Sequence, residues 1–168
     1  MGSEQLFKRL LNDIRVDLSD EFDQNFNRKA FFDHPWPANK MNNRRGSMMA
    51  RTNNLRRSVQ SRVSGNAVFW SSSAIYANLH NSGGKLKVTA RMRKFFWAKY
   101  YELAGNRKAS AEANMWKAMA LKPVGGVITI PQRQYIGTHA RVHESIHRAG
   151  DAFFKDLEAY VNSIFKKK

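Results

Sequence analysis

Hydrophobic positions recur every three or four residues over 4–29, where Phe7, Leu11, Ile14, Leu18, Phe22 and Phe26 draw one apolar stripe. That spacing predicts a long amphipathic helix. It outruns an ordinary domain helix, so part of it is a candidate for packing on another subunit. Two prolines around Trp36 then stop helical propagation; Trp36 is expected to plug the edge of the core. Asn42 to Gly46, with Arg44 and Arg45 inside, reads as an exposed loop.

Over 52–89 the period falls to two. Val59 to Val63 alternates, Ser64-Gly65-Asn66 signals a hairpin turn, and Ala67 to Trp70 resumes a strand. A short helix, Ala74 to His80, is predicted behind Ser73 as N-cap, stopped by Asn81-Ser82-Gly83-Gly84. Lys85 to Thr89 alternates again. Residues 91–122 return to the helical period in two stripes separated by Gly105-Asn106, an αα-hairpin. Pro123 ends it, and Val127 to Ile130 reads as a strand. The last helix is expected over 138–165, with Thr138 as N-cap and a stripe through Val142, Ile146, Ala149, Phe153, Leu157, Tyr160 and Ile164. The sum is one α+β domain over 1–168: a small antiparallel β-sheet packed with long N- and C-terminal helices and an inserted hairpin. Trp36, Trp70 and Tyr76, beside strand and turn signals, are expected in its core.

Composition narrows the chemistry. The 168 residues contain no cysteine, which excludes disulfides, thiolate metal sites and cysteine nucleophiles, and fits assembly in a reducing cytoplasm. No apolar run is long enough for a membrane helix. Neither a secretory signal nor a myristoylation site is expected at the N-terminus. Net charge is +16, and its placement is uneven. Residues 1–33 carry seven acids and five bases; residues 34–142 carry nineteen bases and two acids. A field of that sign attracts polyanions or an acidic protein face.

His143-Glu144-Ser145-Ile146-His147 matches the H-E-x-x-H pattern of zinc peptidases. The third-histidine position of the longer pattern is Phe153. His139 lies eight residues from His147, about 12 Å along a helix, too far for all three histidines to share one ion. No subdomain is expected after this helix to wall a cleft. His143 and His147 share a flank with Phe154 and Phe165, which suits a subunit contact instead. No phosphate-binding glycine loop, nucleophile elbow or base-reading module is legible. No catalytic, cofactor or metal residue is therefore expected.

Four ordered segments carry a resemblance: Asp33-His34-Pro35-Trp36, Asn54-Leu55-Arg56-Arg57-Ser58-Val59, Ile75 to Gly84 with Tyr76, His80 and Gly83, and Ile130-Pro131-Gln132-Arg133-Gln134-Tyr135-Ile136-Gly137. Together they resemble the phage virion morphogenesis (tail completion) family of tailed phages and prophages, over about residues 5–160. Two features depart from it: the 91–122 hairpin looks inserted, and Gln134 stands where the family often has proline. The resemblance implies a non-enzymatic part of the virion neck, made in the host cytoplasm, that finishes the tail and joins it to the DNA-filled head. It implies a homo-oligomeric ring, often hexameric, meeting neck connector and tail tube proteins, with no membrane. Its motif residues Trp36, Leu55, Tyr76, His80, Gly83, Pro131, Arg133 and Gly137 are expected to maintain the fold. Tyr76 and His80 would brace the Gly83-Gly84 turn from one helix face, Pro131 would end the strand, and Arg133 offers a forked donor to a carboxylate or carbonyl. Arg44, Arg45, Arg91, Arg93, Lys94 and Arg107 are the candidates for contact with DNA phosphates or an acidic neighbour. The competing readings are a basic, sequence-nonspecific nucleic-acid-binding protein and a zinc metallopeptidase.

Overall fold

A computed structural model describes residues 2–38, 49–104 and 110–166. They group into two compact units: one drawn from Met1–Trp36, Ser47–Ala77 and Gln134–Lys168, the other from Pro37–Gly46 and Asn78–Arg133.

In the first unit, helix α1 spans Ser3–Arg28 and buries Leu6, Leu11, Ile14, Leu18, Phe22 and Phe26, close to the expected stripe. The Gln5 side chain accepts a bond from the Gly2 N–H at its start. Lys29 ends it in a left-handed conformation, donating to the Asn25 carbonyl. The chain then reverses through strands β1, Ala30–Phe31, and β2, His34–Pro35. A short helix α2, Asn54–Ser58, precedes the hairpin of β3, Val59–Ser64, and β4, Ala67–Ser72. The hairpin pairs Val59 with Ser72 and Ser64 with Ala67. Its two-residue loop opens on Gly65 at φ +57°, where a type II′ turn needs glycine.

Helix α6, Ala140–Phe165, lies antiparallel to α1. Val142 packs with Ile14, Leu18, Phe22, Phe31 and Phe32 at one end, and Phe153 meets Phe7 edge to face at the other. Its N-cap is His139, whose Nδ1 accepts from the Arg141 N–H at 3.2 Å. That corrects Thr138: imidazole can cap as a hydroxyl does, because a neutral ring offers one lone pair. A second cluster gathers Phe26, Trp36, Leu55, Ala77 and Tyr135.

In the second unit, β5, Gly84–Lys87, pairs antiparallel with β6, Val127–Ile130. Helices α4, Ala90–Ala104, and α5, Ala111–Ala120, pack together through Phe96 and Trp116, with Ala113 and Ala120 fully buried. The Ser110 hydroxyl caps α5 by accepting from the Ala113 N–H.

Two expectations change. Among the described residues the strands form three separate two-stranded ribbons rather than one sheet. Both β3 and β4 pack against α1, so helix, not further strand, covers their apolar side. The short helix, α3, spans Ala77–Ser82 rather than 74–80. The Ser72 hydroxyl accepts from the Ala74 N–H, which holds Ala74 in a turn and delays the helix.

Candidate functional site

The motif residues converge on backbone geometry. Trp36 is buried against the edge of Phe26, and its indole N–H donates to the Gln134 carbonyl at 2.6 Å. Leu55 is buried in the same cluster. Pro131 follows directly on β6. Gly83 has φ +70°, and a Cβ there would stand 2.8 Å from the Gln132 nitrogen, so only glycine lets these segments approach. Gly137 lies against Gln134 and Phe31; Gln134 itself donates to the Ile136 carbonyl.

Arg133 is buried, and its fork finds carbonyls: Nε donates to Pro37 at 3.1 Å and a terminal nitrogen to Ala38 at 3.4 Å. Its backbone N–H donates to the His80 carbonyl at 2.8 Å. Burial lowers the Arg133 guanidinium from its usual range. The His80 imidazole is likewise pushed down, by burial first and by the Arg133 charge second. Tyr76 does not share the helix of His80. Tyr76 sits in the turn before α3 and is 39% exposed, which corrects its place in the core. Trp70 is half-buried, packed edge-on to Phe22 with its N–H on the Ser19 hydroxyl.

Of the basic candidates, Arg44, Arg45 and Arg107 lie outside the described residues. Arg91 and Lys94 are exposed on α4. Arg93 is half-buried and donates to the Ala120 carbonyl at 3.1 Å, tying α4 to α5. The structure thus leaves Arg91 and Lys94 open to a partner and uses Arg93 internally.

His143, Glu144 and His147 are exposed on α6. Among the described residues, the histidines and carboxylates whose ligand atoms converge are instead Asp33, His34 and His139. His139 stacks on Phe32 at 4.6 Å. Its Nε2 lies 2.9 Å from an Asp33 carboxylate oxygen that also meets His34 Nδ1 at 2.6 Å. Because His139 Nδ1 accepts the helix-cap bond, its Nε2 carries the proton and donates to Asp33. A metal at Nε2 would have to displace that proton and leave an imidazolate, or break the cap. The arrangement fits a polar pin holding the start of α6 to the β1–β2 turn better than a metal centre. Burial pushes the Asp33 carboxyl up, but bonds from its own backbone, His139 and His34 outweigh it and hold the group below the ordinary carboxylate value.

Sequence reasoning missed three supports. Asn25, fully buried in α1, donates to the Tyr135 carbonyl at 3.2 Å and accepts from the Phe32 N–H at 2.9 Å. Arg56 grips both oxygens of Asp23. Asp33 with His139 is the third. A polar residue on an apolar stripe marks Asn25, and Arg56 lies inside the Asn54-to-Val59 segment; neither signal names a partner.

These features define an α+β protein whose motif side chains serve the backbone. The chain belongs to the phage virion morphogenesis family, whose model matches residues 4–154. That membership ties it to assembly of the phage particle, in the tail region in general. No curated protein and no solved structure matches the chain. Among the described residues no helix is long and apolar enough to cross a membrane.

Proposed function

We propose that this chain is a neck or tail-completion component that finishes the tail and joins it to the DNA-filled head, as a ring of copies and without catalysis. Its neighbours in this reading are the connector and tail tube proteins of the neck. Family membership supports the setting. The single observation that carries an assembly role is the uncovered apolar face of α6: Phe154 is 66% and Phe165 72% exposed, with Val161 and Ile164 open beside them. Exposed apolar surface of this kind marks contact with another macromolecule.

A second reading, phosphate contact without sequence preference, draws on Arg91 and Lys94, exposed on α4 with Phe95 and Tyr101 also exposed. In the neck it would complement the first, because the channel there carries DNA. The peptidase reading finds no support in the exposed His143-to-His147 segment.

The assembly role is tested by complementation. Purified chain added to a lysate of a phage lacking its gene should restore infectious particles to near the wild-type count. A Glu144→Ala variant should restore them equally. No rescue by wild-type chain, or rescue abolished by Glu144→Ala alone, would contradict this reading.

A further inference from the structure

Two apolar features of the first unit stay uncovered, and one helix holds them apart. The first is the end of α6. Phe154, Leu157, Val161, Ile164 and Phe165 share one helical face. Phe153 is level with Phe7, so α1 has four residues left to its first position, Ser3, whereas α6 has twelve left to Phe165. The last eight or so residues of α6 therefore overhang α1 by about 12 Å. The second feature is an open apolar groove of about 380 Å³ bordered by Leu11, Ile14, Leu18, Val68, Val142 and Ile146.

The overhang cannot fill the groove of its own molecule. Val142 and Ile146 lie 18 to 23 residues before Ile164 and Phe165 on an unbroken helix, a separation of about 27–35 Å. We propose that the α6 overhang of one copy seats in the groove of a second copy, the contact repeating head to tail until a ring closes. This deepens the assembly role proposed above and rests on it. Arm and groove are different surfaces, so their contact is heterologous, and heterologous contacts generate rings or filaments rather than two-fold dimers. Area favours the same geometry. With about 200 Å² for a phenylalanine side chain, the exposed parts of Val161, Ile164 and Phe165, together with Phe154 at the root of the overhang, offer roughly 400 Å². That is half the ~800 Å² per partner of a standard interface. One such contact would hold a pair weakly, whereas a ring uses arm and groove of every copy.

The test is a mixing experiment on the full chain, read by native mass measurement and by circular dichroism for folding. Ile164→Asp with Phe165→Asp spoils the arm; Ala67→Arg, at an exposed position of the groove, spoils the groove. The parent chain is expected to assemble beyond a dimer. Each variant alone should be folded and monomeric. At high protein concentration, where a weak pair is populated, an equimolar mixture should form a heterodimer and nothing larger, because one arm and one groove survive in the pair. An assembled groove variant, a parent-like arm variant, no heterodimer from two folded variants, or a monomeric parent would each overturn the proposal. So would an unchanged ring in arm variants that no longer restore infectivity, since the arm would then serve a different protein. A ring that forms by arm and groove but fails to complement would sink the neck role alone.

Discussion

At the scale of single residues, the fold depends on polar groups that complete backbone bonds between distant segments. Trp36 joins two roles, filling the space beside Phe26 and donating to Gln134. Trp36→Ala should cost about 3–5 kcal/mol, as truncation of a buried aromatic does. Tyr76→Ala, at a 39% exposed turn position, should cost less than that. Urea unfolding measures both, and equal losses would reject the burial contrast. His80 gives a pH signature. Its folded pKa is lowered below the ordinary 6.5 by burial and then by Arg133. The neutral ring is favoured in the folded state, so its contribution to stability is full above pH ~6.5 and is lost as pH falls through the lower folded value. Urea midpoints between pH 5 and 8 should therefore drop on the acid side, and the drop should shrink in His80→Gln. Parallel profiles for the two proteins would refute this. The tryptophan's role was legible because prolines flank it. Tyr76 was not: the same motif fits a helix starting at 74 or at 77, and a serine hydroxyl bond decides between them.

At the scale of elements, periodicity carried α1, α4, α5 and α6 because apolar residues recur at the helical period in each. Yet of the four only α1 buries nearly all of its stripe: α4 buries Phe96 alone, and Ile146 and Ile164 of the expected α6 core stripe are exposed. The β3–β4 hairpin was equally legible, since alternation and a Gly-Asn turn fix its register. Strand partnership was not. Short alternating runs do not say which runs pair, and here each hairpin or ribbon closes on itself. The start of α6 shows why capping was misread: Thr138 and His139 are both polar, and the ring alone stacks on Phe32 while reaching Asp33. His139→Ala removes the cap and the pin together. It should destabilise the protein by about 1–2 kcal/mol, the upper range for a lost cap, measured by urea unfolding. A thermodynamically silent His139→Ala would mean the pin is ornamental. Because Asp33 is held below its ordinary value, its support persists above pH ~4 and fades as pH falls through the folded value.

At the scale of the whole molecule, charge and motif point the same way for different reasons. Net charge of +16 gives the chain a field that attracts anions or acidic faces; it cannot say which bases are free. The structure separates Arg91 and Lys94, exposed on α4, from Arg93, which is bonded to Ala120. Helical spacing alone could not divide them, since only the partner helix α5 distinguishes one side of α4 from another. The H-E-x-x-H segment has the opposite status, a strong pattern on a solvent-facing helix flank. The overhanging α6 was visible in sequence as an apolar stripe, but a stripe reads the same whether or not another helix covers it. In the role proposed here, this chain completes the tail and joins it to the head. Electron microscopy of particles made without its gene tests that most directly. Filled heads and separate or unfinished tails should accumulate, with few joined virions and a matching fall in infectious count. Joined, infectious virions at wild-type numbers would contradict it.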